Sequence, residues 1–128
     1  MKILADTHAI LWWLLGDKRL SAFAERILAD PANRRYVSIA SLWEMAIKMS
    51  SGRPMAEGAT LRGIAGQLKE QEFILLPIRV EDLLRLEELP WIHRDPFDRL
   101  LIAQAIEEGI ALLTTDGMMQ QYPVQTIW

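Results

Sequence analysis

Apolar residues along the chain alternate between short continuous runs and longer helical periods. Lys2 to Ala5 reads as a short buried strand ending at Asp6 and Thr7, and Ala9 to Leu15 as a helix stopped by Gly16. Ser21 caps a second helix to about Ala29, ended by Asp30 and Pro31. Tyr36, Val37 and Ile39 give a second strand that feeds into a helix of roughly Ile39 to Met49. Ile39, Leu42, Trp43, Ala46 and Ile47 share one face of that helix. The stretch from Ser50 to Gly58 is the one clear flexible connection. Thr60 caps a helix to about Gln71, and Phe73 to Ile78 forms a third strand with the unbroken apolar run of a buried parallel strand. Glu81 to Leu89 is helical up to Pro90. Asp95 caps a helix with Pro96 at its first position, carrying Phe97, Leu100, Leu101, Ala103 and Ile106 until Gly109. Ile110 to Thr115 and Val124 to Trp128 complete five strands.

Strands alternating with helices imply a mostly parallel three-layer α/β sheet, because parallel neighbours need crossover connections. At 128 residues one domain spanning 1–128 is expected, able to bury about two-thirds of its unfolded surface. Charged residues are 24% and hydrophobic ones 51%, a globular composition. A mean hydropathy of +0.08 leaves room for an apolar face covered by a partner. Having no cysteine excludes disulfides, thiolate zinc sites and thiol catalysis, and fits a reducing compartment. Ala9 to Leu15 is too short to span a bilayer, and Asp6 and His8 interrupt the place of a signal peptide's apolar region, so a cytoplasmic location without membrane contact is expected. With a net charge of -3, nucleic acid binding would have to use a local patch.

The candidate chemistry lies in four carboxylates set into apolar stretches: Asp6, Glu44, Asp98 and Asp116. An unpaired carboxylate at low dielectric costs several kcal/mol or shifts its pKa. Each acid also has a structural account. Asp6 suits the N-cap of the first helix. Glu44 stands three residues after Ser41 and four before Lys48, which suits a capping box or an ion pair; a helix start near Ser38 weakens the capping box and leaves the Lys48 pair open. Asp95 suits an N-cap, with Asp98 as a third-position acid favoured by the helix dipole, and only Asp98 of the two is a candidate ligand. Asp116, before Gly117, suits a turn. It is their joint placement that points to a metal site: Asp6 and Asp116 fall beyond the carboxyl ends of the first and fourth strands, where open sheets bind ligands. Such donors suit a hard ion, Mg²⁺ or Mn²⁺. Zinc is disfavoured, since only His8 and His93 are available; His8 is expected to pack or cap, and His93 to lie at the surface near the site entrance.

DTHAILWWL, VSIASLWEMAIKMSSGR, LPWIHRDPFDRLLIAQAIEEG and LLTTDGMMQQYPVQTIW together resemble a PIN domain of the VapC toxin type, nearly end to end. The ordered combination of an initial Asp, SLWE and DPFDRLLIAQA is specific; DTH alone is weak. The resemblance implies a small metal-dependent ribonuclease with a five-stranded parallel sheet between helices, Mg²⁺ or Mn²⁺ as cofactor, RNA as substrate, an antitoxin occupying the active-site groove, and a homodimer. By position, Asp6, Glu44 and Asp98 match the family's first three acids, and Asp116 the acid or amide after the fourth strand. Thr115 departs from the basic residue that often precedes that position, which puts a phosphate contact there in doubt. Lys48, Arg53, Arg94 and Arg99 are candidates for phosphate contacts, with a solvated surface charge a better account of Arg53 than of Arg99. Two rivals stand beside this reading. A phosphotransferase or phosphatase using an aspartyl nucleophile is weakened by His8 where a second Asp would be expected. In a catalytically silent binding module the acids cap helices and the apolar helices, including the one carrying Trp12 and Trp13, mediate assembly.

Overall fold

The computed structural model describes residues 1–53 and 55–128. In chain order the elements are β1 (Lys2–Ala5), α1 (Thr7–Leu15), α2 (Ala22–Ala29), β2 (Arg34–Ser38), α3 (Ile39–Ser50), α4 (Leu61–Glu70), β3 (Ile74–Leu76), α5 (Val80–Glu88), α6 (Pro96–Glu108), β4 (Ala111–Leu113) and β5 (Thr126–Ile127), with a single 3-10 turn at Met119–Gln121. All four strand pairings are parallel, in the order β3-β2-β1-β4-β5. The expected three-layer α/β architecture is therefore present, its sheet wholly parallel.

Alternation along the strands divides the core. Ile3, Ala5, Val37 and Leu113 pack with Ile10 of α1, Leu28 of α2, and Ile64 and Leu68 of α4. Leu4 and Leu112 face the opposite layer, where α6 supplies Leu100, Leu101, Ile102, Ala103 and Ala105. Burying each such Leu or Ile contributes roughly 1.5–3 kcal/mol. Buried residues occupy consecutive positions from Arg99 to Ala105, because α6 is enclosed by the sheet, α5 and α3. Gly109, at φ 64°, adopts the left-handed conformation that lets this helix stop and turn straight into β4.

The capping residues Ser21, Thr60 and Asp95 act as the pattern predicts. Other boundaries move. Ser38 caps α3 through a 2.9 Å bond from Ala40 N–H, so Ile39 is the first helical residue and not part of β2. The connection expected over 50–58 loses Ser50 to α3, and position 54 of it lies outside the described residues. β3 is shorter than the run from Phe73 to Ile78. It is an edge strand with Ile74 and Leu75 42% and 41% exposed, so its apolar run does not mark burial on both faces. The apolar face predicted for α3 is largely turned outward: Ile39, Trp43 and Ile47 are exposed and Leu42 and Ala46 half-buried, whereas Ala40, Ser41, Glu44 and Met45 are buried. The first helix is apolar all round yet only its first half is buried; Leu15 reaches solvent.

Candidate active site

β2 and β4 pair with opposite edges of β1. Chain connections leaving β1 and β4 therefore diverge and open a crevice at the strands' carboxyl ends. Asp6 follows β1 there. Its Oδ1 accepts the Ala9 N–H at 2.7 Å, so it is the N-cap of α1, and its Oδ2 accepts the Thr114 hydroxyl. The capping role and the site position coincide. Burial raises the Asp6 pKa above the ordinary carboxylate value; the Thr114 and Ala9 bonds and His8 oppose that rise, while Asp116 adds to it.

Thr114 is fully buried at the end of β4. Besides donating to Asp6, its oxygen accepts the Asp116 N–H at 3.0 Å. Asp116 Oδ1 accepts the Met118 N–H at 2.8 Å, the local turn that an Asp-Gly pair favours. Thr114 was not singled out from sequence. A hydroxyl closing an apolar strand immediately before the turn that bears an acid is the signal that marks it.

α3 brings Glu44 into the crevice on its packed face. The carboxylate is buried except for one edge, where Lys48 Nζ lies 3.2 Å away, so the i,i+4 pair is formed. The Thr7 hydroxyl donates to Ser41 Oγ at 2.9 Å and ties the start of α1 to α3 one turn before Glu44. Trp43 packs edge-on against Phe97 at 5.0 Å. The Ser38 hydroxyl donates to Gln104 Oε1 at 2.5 Å. Together these contacts set α3 against α6 and fix Glu44 relative to Asp98.

Asp95 caps α6 by accepting the N–H groups of Phe97 and Asp98, which leaves the Asp98 side chain free to point into the crevice. The Asp98 pKa is pushed up to about 7, first by burial and then by the negative charges of Asp95, Asp116, Asp6 and Glu44. Asp6, Glu44 and Asp116 therefore all lie close enough to Asp98 to act on it.

His93 differs from expectation. Its side chain is only 12% exposed, with Nε2 at 3.5 Å from Asp98 Oδ2, and it belongs to the wall of the site. Arg99 differs further. Its guanidinium donates to Pro90 O at 2.9 Å and to the Tyr122 hydroxyl at 3.1 Å, and it stacks on Trp91 at 4.4 Å. It is buried and its donors are directed into the protein, so a phosphate contact is not open to it. Arg94 and Arg53 are exposed, and Lys48 is partly so. Thr115 is exposed and makes no part of the Asp6 network. His8 is exposed and packs on Trp12 at 5.8 Å.

The donor set is all oxygen. Among the described residues no three His, Asp or Glu side chains enclose an ion by themselves. The fit is to a hard ion that keeps several waters and takes part of its shell from a phosphate, and Asp98, raised by burial and by four neighbouring negative charges, is where a cation is most needed.

The fold is similar to that of chains in several solved assemblies. VapBC2 from Rickettsia felis, bound to a DNA fragment from its promoter, gives a TM-score of 0.73 at 15% identity, covering 99% of this chain and 98% of that one. DNA-bound VapBC from Salmonella typhimurium gives 0.73 at 14% identity, covering 99% and 97%. VapBC-1 from nontypeable Haemophilus influenzae gives 0.72 at 20% identity, again covering 99% and 97%. At such identities the likeness is one of fold. No curated protein matches the sequence. The PIN domain profile, however, matches residues 3–125, a span that carries all four acids and the strands β2, β3 and β4 with most of β1, and the chain belongs to the PIN domain family.

Proposed function

We propose that the protein is a metal-dependent endoribonuclease, the toxin of a toxin-antitoxin pair, which inhibits translation by cutting RNA phosphodiester bonds. The observation that carries this reading is the placement of the acids around Asp98: burial first, and then the charges of Asp95, Asp116, Asp6 and Glu44, push its pKa up to about 7. Asp6, Glu44, Asp98 and Asp116 would hold Mg²⁺ or Mn²⁺. Such an ion supplies Lewis acidity toward the phosphodiester and makes water a nucleophile near neutral pH.

The chain's own groups have separable tasks. Thr114 and the Ala9 N–H keep the Asp6 carboxylate oriented as an acceptor. Asp98, at the third position of α6, is placed to accept a proton from an attacking water. Lys48 and Arg94, the candidates whose charge reaches solvent, would hold flanking phosphates. The likeness in fold to chains of VapBC assemblies supports an antitoxin as partner. Exposed apolar faces on α3 (Ile39, Trp43, Ile47) and α5 (Val80, Leu83, Leu84) support a homodimer. No helix among the described residues is long and apolar enough to cross a membrane.

One observation favours the catalytically silent binding module instead: among the described residues no ready-made enclosure for an ion exists. Cleavage of a labelled mixed RNA pool with Mg²⁺ or Mn²⁺, with EDTA, and with Asp98→Asn separates the two. Metal-dependent cutting that disappears in Asp98→Asn supports the nuclease. No cutting, together with no ion bound in calorimetry, supports the silent module.

A further inference from the structure

We infer that His93 is a positioning residue for Asp98, with its imidazole fixed in one tautomer so that Nε2–H is presented to the Asp98 carboxylate. This rests on the metal-dependent reading of the site. The phenolic oxygen of Tyr122 accepts two bonds, from Arg99 Nη1 at 3.1 Å and from the His93 backbone N–H at 3.2 Å. Its own proton remains to be donated, and His93 Nδ1 lies 2.8 Å away. Nδ1 is therefore the acceptor, and the ring proton resides on Nε2. That nitrogen is buried without a hydrogen-bond partner, and the Asp98 Oδ2 it faces is 3.5 Å distant. A shift of about 0.5 Å closes this gap to an ordinary N–H···O bond.

A buried donor left unmade costs free energy, so the arrangement favours the Asp98 orientation that completes it. Arg99 takes part as the anchor of Tyr122. Its bonds to Pro90 O and, at 3.4 Å, Leu86 O hold the whole chain of contacts to the last turn of α5 and the segment that follows it. The imidazole thus acts on the carboxylate from behind, as partners of metal-binding groups do, and loss of such partners typically weakens metal affinity by about 10- to 100-fold.

The test is Mn²⁺ titration by calorimetry on the full chain without RNA, comparing wild type, His93→Asn and His93→Gln, with thermal unfolding as the check on folding. His93→Asn lacks a donor at the Nε2 position, whereas the Gln amide restores one. The expected result is weakening of Mn²⁺ binding by about 10- to 100-fold in His93→Asn and recovery in His93→Gln, with RNA cleavage following the same order. Equal Mn²⁺ affinity in all three overturns the inference and leaves the nuclease reading standing. A wild type that binds no Mn²⁺ removes both. If His93→Asn does not fold, Tyr122→Phe, which removes the hydroxyl that sets the tautomer, is expected to weaken Mn²⁺ binding less but in the same direction, and unchanged affinity there overturns the inference equally.

Discussion

The hydroxyl of Thr114 donates to Asp6 while accepting the backbone N–H of Asp116, so one buried side chain at the end of β4 joins the acid that follows β1 to the turn that carries the fourth acid. Thr114→Val preserves shape and removes both bonds. We expect it to cost about 1–3 kcal/mol of stability, the usual penalty for leaving buried polar groups unpaired. Loss of the Thr114 contact also removes one of the interactions that lower the Asp6 pKa. Mn²⁺ affinity should therefore fall by about 10-fold or more, while Thr114→Ser stays near wild type. Calorimetry and urea unfolding of the two variants check this. Wild-type affinity in Thr114→Val would remove the connection between the hydroxyl and the acids.

The metal-free protein should become less stable as pH rises from about 4 to about 7. Asp98 has an ordinary value of 3.8 in the unfolded chain and about 7 when folded. Below the lower value both states are protonated and nothing is lost. Between the two, the folded state retains a proton that the unfolded state has released, so raising the pH favours unfolding. Above about 7 the loss is complete and amounts to at most about 4 kcal/mol. Asp6, raised by burial, acts in the same direction. The urea midpoint of Asp98→Asn minus that of wild type should accordingly grow between pH 5 and pH 8. Added Mn²⁺ should restore wild type alone at pH 8. A difference that stays flat with pH would contradict the placement of Asp98 among the other charges.

Arg99 and the exposed cations should separate by phenotype. Arg99→Lys removes a stacked guanidinium whose donors reach Pro90 O and Tyr122, and a Lys head cannot reproduce that fork. A destabilisation of about 2–4 kcal/mol is expected. Arg94→Ala should unfold within about 0.5 kcal/mol of wild type and Lys48→Ala somewhat further from it, because Lys48 pairs with the buried Glu44, yet both should bind RNA more weakly, with a shallower dependence on salt. Denaturation curves and filter binding at several salt concentrations distinguish the classes. A folded, stable Arg99→Lys with weakened RNA binding would reverse the assignment.

What could be read from the sequence, and what could not, follows from the range of the interactions involved. Caps and stops are local, and Ser21, Thr60, Asp95 and Gly109 announced their helices. The positions of Asp6 and Asp116 followed from strand ends together with the rule for open sheets. The tie from Thr114 to Asp6 spans 108 residues, and the contact of His93 with Tyr122 spans 29; neither leaves a periodic trace. Arg99 read as a candidate phosphate contact because a buried guanidinium depends on carbonyls supplied by another segment. For α3 and β3 the apolar pattern was legible but its direction was not, since periodicity identifies a face without saying whether the core or a partner covers it.

The same ambiguity attaches to α5. On α5, Val80, Leu83 and Leu84 are 68%, 50% and 57% exposed, while the same helix buries Asp82, whose carboxylate accepts the Arg79 N–H at 2.8 Å. The helix is thus anchored through its polar first turn and presents apolar side chains to solvent, an arrangement that is costly in a monomer and favourable once covered. The protein is expected to be a dimer at micromolar concentration by light scattering. Leu83→Glu combined with Leu84→Glu should retain the fold, because neither side chain is part of the core. It should raise the dimer dissociation constant at least about 100-fold, about 2.7 kcal/mol. A variant that remains dimeric would transfer the interface to the exposed Ile39, Trp43 and Ile47 face of α3, and a monomeric wild type would mean that these apolar faces await a different protein.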